Sequence, residues 1–345
     1  MTSGIDHEDP GDDSADLFIL HSTRLESFPA VRLGESACGG RGLFAARAFT
    51  PGEEILREVA VCWGAPDSPN VFTTMEEGAL VDTLLQMAPA CWRGPPAPRP
   101  PVPAGGLPAL VAATMKANAW GCRVGGDAGM RGLFPVLCLS NHSCASVAAA
   151  SQVGVADAGA PAYALTARAP IAEGEEITVA YVPRSWEKAR RAAALGEGWG
   201  FACGCARCAA PVDDTRAVKC ACGGRGFLPD DEAGTPACAA CGAPLAVVAA
   251  GAAGAAAGLP PPPHVDATPQ QLRAALDALL AHPVLALDDA RVLFALNSMV
   301  PAVSQCMEGG NAEAEGVFKD LLRAVIAVAQ QSGFVNLYDL GISIE

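Results

Sequence analysis

Seven of the fourteen cysteines fall between residues 203 and 241, and their spacing restricts the fold more than any other feature of the chain. Cys203, Cys205 and Cys208 form C-x-C-x2-C, and Cys220, Cys222, Cys238 and Cys241 form C-x-C-x15-C-x2-C. Short pairs that return after a loop supply adjacent vertices of a tetrahedron, which is what four-coordinate zinc requires. The second set is a complete four-thiolate site, although its first pair is one residue tighter than the usual C-x2-C. The first set is one ligand short. A disulfide framework is the competing reading, and it suits small secreted chains better than one of 345 residues. Asp6, Glu8, Asp9, Asp12, Asp13 and Asp16, with no Lys or Arg among them, stand where a secretory signal would carry basic and apolar regions. Reduced thiols in an intracellular protein, nuclear or cytoplasmic, are therefore expected. Cys38, Cys62, Cys91, Cys122, Cys138 and Cys306 are scattered and read as small buried residues.

The formal net charge is −14. Such a chain repels phosphate backbones and favours partners rich in Lys and Arg, so direct nucleic-acid binding is not expected. A zinc-ribbon nucleic-acid reader is the weakest alternative for the same reason, since the residues around Cys220 to Cys241 include few basic ones, such as Lys219 and Arg225. The uncharged tract Ala243 to Pro263 is mostly Ala, Gly and Pro and ends in four prolines, which does not suit a membrane span.

Residues 17 to 61 alternate as strands do, with turns at Gly39-Gly40 and Pro51-Gly52. The chain then repeats itself. Ala46-Arg47-Ala48 followed by Gly52-Glu53-Glu54-Ile55 returns as Ala167-Arg168-Ala169 followed by Gly174-Glu175-Glu176-Ile177, which predicts two similar hairpins within one β-rich domain. Residues 71 to 92 have helical spacing around Leu80, Leu84, Leu85 and Met87. A Pro-rich loop is expected over 94 to 108, a helix and short strand over 109 to 124, and a helix from Trp186 to Leu195. Thr268 is placed to cap a helix beginning at Pro269, with Leu272, Leu276, Leu279 and Leu280 on one face. Two more helices follow near 288 to 307 and 312 to 331, the last with Asn311 as cap and Gly333 as stop. The division expected is an acidic tail (1–16), a β-rich domain with a helical and Pro-rich insert at about 62–117 (17–198), a cysteine-rich segment (199–245), a linker (246–267) and a helical packing module (268–345).

Residues 133 to 147, LFPVLCLSNHSCASV, carry an apolar run straight into Asn141, His142, Ser143 and Cys144. A Cys-His nucleophile, a metal ligand and a cofactor cradle all use such residues. A nucleophilic thiol needs a separately placed His, usually oriented by Asp or Asn, and often a helix start to activate it. Ala145-Ser146-Val147 offers no such start. Cys144 serves better as the missing fourth thiolate for Cys203, Cys205 and Cys208.

Several motifs then fall in a telling order. They are Gly40-Arg41-Gly42-Leu43-Phe44, Asn118-Ala119-Trp120, Gly132-Leu133-Phe134-Pro135, Asn141-His142-Ser143-Cys144, Gly174-Glu175-Glu176-Ile177-Thr178-Val179-Ala180-Tyr181, and Phe201-x-Cys203-x-Cys205-x2-Cys208. Together they resemble a SET-domain protein lysine methyltransferase, closest to the SET-and-MYND (SMYD) type, over roughly residues 30 to 245. The resemblance implies an α+β fold. In it a β-rich SET domain, with its Asn-His-Ser-Cys segment threaded as a pseudoknot, precedes a zinc-binding post-SET and ribbon segment and a C-terminal helical module. It implies S-adenosylmethionine as cofactor, two zinc ions, and a protein substrate with a basic, lysine-containing segment such as a histone tail.

On that likeness Gly40 and Gly42 allow close backbone approach to the cofactor, and Arg41 pairs with its carboxylate. Asn118, Asn141 and the backbone near His142 meet its amino and adenine groups, and Phe201 packs on the adenine. Tyr181 and Trp199 stand at the catalytic channel, the Tyr181 oxygen beside the transferred methyl. A lysine amine in a narrow apolar channel loses its proton more readily, and alignment supplies most of the rate. Three departures stand out. Cys144-Ala145-Ser146-Val147 replaces the family's C-x-P-N, Trp199 occupies a position usually held by tyrosine, and no MYND finger interrupts the domain. The alternative to an enzyme is a catalytically weak or inactive SET-fold binding or scaffold module.

Overall fold

The computed structural model describes residues 25–332 apart from 39, 66–70, 74, 88–101, 126, 157–158, 230–235, 246–262, 264–265, 282–289 and 309–311. The acidic tail, most of the Pro-rich loop with Cys91, most of the linker, the Asn311 cap and the Gly333 stop lie outside the described residues. The chain divides into two compact units, Met1–Ala180 and Tyr181–Glu345.

The first unit is built from small antiparallel sheets. Strands β1 (Val31–Glu35) and β2 (Arg41–Ala45) form a pair. Strands β3 (Glu54–Val59), β9 (Pro161–Ala167) and β8 (Ala148–Val155) form a second sheet in the order β3-β9-β8. The third has the order β5-β4-β7-β6, from β4 (Cys62–Gly64), β5 (Phe72–Thr73), β6 (Trp120–Val124) and β7 (Asp127–Leu133). Strands β4 and β5 thus belong to the domain's own sheet, and the expected insert contributes α1 (Glu77–Met87) and α2 (Gly106–Asn118). Leu80, Leu84, Leu85 and Met87 of α1 bury against Leu110, Val111 and Met115 of α2 and against Leu133. Their helical spacing is that of one apolar face. Two side chains stitch the neighbouring sheets together. Gln152 of β8 both accepts from the Arg123 N–H and donates to the Arg123 carbonyl, each at 2.7 Å, and the Tyr163 hydroxyl donates to the Gly121 carbonyl.

The internal repeat is written into the hydrogen bonds. Gly52 N–H donates to Ala167 O and Gly174 N–H to Ala45 O; Ala167 N–H donates to Glu53 O and Ala45 N–H to Glu175 O. Phe49 and Ile171 exchange both of their backbone bonds and sit on the pseudo-twofold axis of this arrangement. Glu53 and Glu175 each close their own turn, accepting from the N–H of Thr50 and of Ala172 at 2.9 Å. Gly52 and Gly174 take φ of +86° and +83°, a left-handed turn that favours glycine. The two copies therefore pair with each other. The bonds match Ala45 to Ala167, one residue away from the correspondence suggested by the two Ala-Arg-Ala triplets.

The second unit opens with α3 (Lys188–Trp199), whose first N–H donates to the Asp213 carboxylate at 2.6 Å. The helix expected to stop at Leu195 runs on through Gly196 and Gly198 and ends at Gly200, φ +73°, whose N–H caps the Leu195 and Gly196 carbonyls. After a single turn, α4 (Ala206–Ala209), strands β10 (Val212–Lys219) and β11 (Arg225–Pro229) form a two-stranded ribbon. Helices α5 (Pro269–Leu280), α6 (Ala290–Glu308) and α7 (Ala312–Ser332) follow. Thr268 caps α5 as expected, in a reciprocal capping box with Gln271. Ribbon and helices share one core, in which Val218, Leu228, Cys238 and Leu245 pack with Leu272, Leu276, Leu296, Met299 and Leu321. No helix among the described residues is long and apolar enough to cross a membrane.

Candidate functional site

The chain from Phe134 to Ser140 is buried throughout, so its polar backbone atoms must find partners inside the protein. Glu58 provides two of them. Its side chain, only 3% exposed, accepts from the N–H of Val136 at 3.0 and 3.1 Å and of Leu137 at 2.8 Å. These open the single 3-10 turn Leu137–Leu139. The Cys138 thiol in this turn donates to the Asn118 carbonyl at 3.1 Å.

Beyond the turn, Asn141 to Ser143 lie alongside residues 177 to 179. His142 forms a parallel bridge with Val179, whose N–H donates to Asn141 O, while Ser143 N–H donates back to Val179 O. Ile177 N–H in turn donates to Leu43 O of β2. Three separated motifs therefore meet. The Asn141 side chain donates to the Arg41 carbonyl at 2.9 Å and to Glu176 Oε1 at 2.7 Å, and Glu176 Oε2 accepts from the Ser36 hydroxyl at 3.0 Å. Gly42 must be glycine here, because a Cβ would stand 2.4 Å from Glu176 Oε1 and 3.1 Å from Asn141 Nδ2. Gly40 adopts φ +74° at the entry to β2. With both protons of its amide committed, Asn141 keeps Oδ1 as an acceptor.

Glu176, Ser36 and Glu58 were not singled out by the sequence. For Glu176 the signal lay in the repeated Gly-Glu-Glu-Ile. Its counterpart Glu54 is a surface partner of Arg57 at 2.7 Å, whereas Glu176 turns inward to Asn141. Asn118 has a structural task within the first unit. Its amide donates to the Met87 carbonyl at 2.9 Å and the Thr114 carbonyl at 3.3 Å, tying the ends of α1 and α2 together, so those protons are engaged within the protein.

His142 Nε2 lies 3.3 Å from Cys144 Sγ, close enough for a Cys-His pair. Cys144 is wholly buried, however, and a nucleophile must reach its substrate. In the second unit the rings of Tyr181 and Trp199 stand 5.4 Å apart with a 37° tilt; Tyr181 and Phe201 are half-buried and Trp199 is 42% exposed.

The thiols of Cys203, Cys205 and Cys208 gather within 4.8 Å of one another, as do all four of Cys220, Cys222, Cys238 and Cys241. Both clusters have the donor type and proximity to hold zinc. The segment between the first three is pinned by the buried Arg207, whose guanidinium binds Asp214 at 2.7 Å and the Arg184 carbonyl at 2.8 Å. In the second cluster the backbone N–H of Cys241 helps to pull the Cys238 thiol down to about 6. Cys241, despite the Ala243 N–H that favours its thiolate, is pushed up to about 12 by the thiols of Cys222, Cys238 and Cys220. Four thiolates so close need a cation among them.

Burial alone pushes the Cys62 thiol up to about 12 and Cys122 to about 11; burial, then the Glu58 carboxylate, takes Cys138 to about 12. The exposed Cys38 should therefore react with iodoacetamide at mildly alkaline pH while these three stay unmodified in the native protein. Peptide mass mapping checks this, and rapid labelling of Cys62 or Cys138 would show their packing to be wrong.

A family model for the SET domain matches residues 40–182. Comparison with curated proteins returns no match. Among solved structures, a crystal structure of a candidate histone methyltransferase of Plasmodium falciparum aligns at 14% sequence identity with a TM-score of 0.26, covering 44% of this chain and 92% of that one. A superposition so loose carries no argument about activity. The family match does carry weight, because it opens at the left-handed Gly40 and takes in Gly42, Asn141 and Glu176, the residues that the hydrogen bonds bring together. Residues 40–182 thus match the SET domain, the domain of the methyltransferases that the sequence motifs resemble.

Proposed function

We propose that the protein transfers a methyl group from S-adenosylmethionine to the side-chain amine of a lysine in a protein substrate. One observation carries this reading, the set of bonds that fixes the Asn141 amide between Arg41 O and Glu176 and leaves its carbonyl oxygen as an acceptor. That oxygen suits the ammonium of an amino-acid end, and the side chain of Arg41 suits its carboxylate. Asn118, its amide already engaged, contributes at most an acceptor oxygen. Backbone near His142 and the ring of Phe201 complete the cradle on this reading.

S-adenosylmethionine supplies an electrophilic methyl on its sulfonium. Tyr181 presents its hydroxyl oxygen to that methyl and holds it in line with the attacking nitrogen. Tyr181 and Trp199 wall the lysine channel, where loss of solvent favours the neutral amine. The −14 charge of the chain favours a substrate lysine set among basic residues, as in a histone tail. Two zinc ions belong to this reading. On this reading Cys144 is the fourth thiolate assigned to Cys203, Cys205 and Cys208, while Cys220, Cys222, Cys238 and Cys241, gathered in one cluster, hold the other ion.

A binding or scaffold module is favoured by one observation, the indole of Trp199 lying against the Tyr181 ring where a smaller tyrosine is usual. Asn141→Ala separates cradle from scaffold. On the enzyme reading it weakens S-adenosylmethionine binding by about 1–3 kcal/mol, the cost of unpaired polar groups, in a protein that remains folded. Calorimetry on the folded variant reads this directly, and unchanged affinity would remove Asn141 from the cofactor site.

A further inference from the structure

The Cys220, Cys222, Cys238 and Cys241 cluster does more than bring four thiols close. Cys220 and Cys241 stand 3.7 Å apart and Cys222 and Cys238 3.6 Å apart, sulfur to sulfur. A tetrahedron with metal–sulfur bonds of about 2.3 Å has edges of about 3.8 Å, so two opposite edges already have its length and all four sulfurs lie within 4.8 Å of one another. The backbone is shaped to them. Gly223 and Gly242 turn the two loops with φ of +84° and +70°. The Gly224 N–H donates to Cys222 Sγ at 3.3 Å, and a Cβ on Gly224 would stand 2.9 Å from Cys238 Sγ and 3.2 Å from Cys222 Sγ.

Among the described residues the ribbon that carries these loops has two strands, too few to be stable alone. What it packs against is the helical module. Cys238 is 2% exposed and shares a core with Val218 and Leu228 of the ribbon, Leu272 and Leu276 of α5, and Met299 of α6, and Cys220 packs on the same core. One ligand is thus inside the core of the helices and a second lies at its margin. The SET-family match ends at residue 182 and includes none of these residues.

We propose that these four cysteines hold one tetrahedral zinc ion and that this ion is a structural element of the C-terminal helical core. The ion fixes the two loops, the loops set Val218, Leu228, Cys238 and Leu245 in place, and these form the floor on which α5 and α6 close. Binding free energy at the metal then becomes folding free energy of the helices. The site itself rests on the two-zinc reading above; its coupling to the helices goes beyond that reading.

The test uses the full chain with Cys222 and Cys241, the two exposed ligands, both replaced by Ser, so that the buried Cys238 is untouched. Elemental analysis should find one zinc fewer per chain than in the wild type. Hydrogen exchange read by mass spectrometry should quicken by about 10²-fold or more across Pro269–Leu280 and Ala290–Glu308, with β3 and β9 of the first unit unchanged. Unaltered zinc content would show that the sulfurs are not a metal site. Loss of one zinc with no change in helical exchange would overturn the coupling. Graded chelation of the wild-type chain asks the same question without a substitution: α5 and α6 should open in the step that releases the ribbon's zinc, and their opening in a different step contradicts the proposal. None of these readouts involves methyl transfer, so they stand or fall apart from the proposed enzyme activity.

Discussion

Tyr181→Phe should leave zinc content and melting temperature as in the wild type while lowering methyl-transfer turnover by about 10²-fold or more. The substitution removes one oxygen and keeps the ring that packs at 5.4 Å against Trp199, so the local structure loses little. What it removes, on the proposed reading, is a preorganised group at the reacting carbon, typically worth about 2.7–4 kcal/mol. Because that contribution belongs to the transition state, cofactor affinity should change far less than rate. Single-turnover assays alongside calorimetry separate the two. Equal rates in wild type and variant would strip Tyr181 of its role, and a scaffold protein would have no turnover to lose.

Glu58→Ala should be the most destabilising of the substitutions considered outside the metal sites. The carboxylate is buried and accepts from the N–H groups of Val136 and Leu137. Its removal orphans two backbone donors at the start of the turn that leads to Asn141. Each costs about 1–3 kcal/mol, giving a loss of about 2–6 kcal/mol in denaturant unfolding. Glu58→Gln keeps one acceptor oxygen but turns an NH2 toward a donor, so it should fall between. A loss below about 1 kcal/mol for the alanine variant would mean that water replaces the carboxylate.

Residues around Asn141 differ in how far the sequence reveals their place. The meeting of Asn141 with Arg41 and Gly42 was foreseeable from the family resemblance, which assigns their two motifs to one site. The inward turn of Glu58 was not. Strict alternation from Ile55 would put Arg57 inside and Glu58 outside, but the register shifts between Glu54 and Leu56, so Ile55 and Leu56 are both buried and Glu58 follows them in. Glu176 was hidden differently. Its Gly-Glu-Glu-Ile setting is identical to that of the exposed Glu54, and only tertiary pairing with Ser36 and Asn141 distinguishes the copies. The helix α3 runs four residues past its expected end at Leu195, through Gly196 and Gly198. Each costs a helix about 1 kcal/mol against alanine, which the Asp213 cap at its start and the burial of Arg191 and Leu195 oppose. Trp199 is consequently the last residue of a helix. The cysteine spacings and the Thr268-Pro269 start were legible because metal geometry and capping are local chemistry.

Methyl transfer to lysine, as proposed, is read directly on substrate side chains. The zinc-replete chain of residues 1–345 is incubated with isotope-labelled S-adenosylmethionine and a mixed protein extract, and labelled side chains are identified by mass spectrometry. The account predicts label on lysine side-chain nitrogens within basic segments, and label that is lost with Tyr181→Phe. Label on a residue other than lysine, or none from a folded protein carrying both zinc ions, would contradict it.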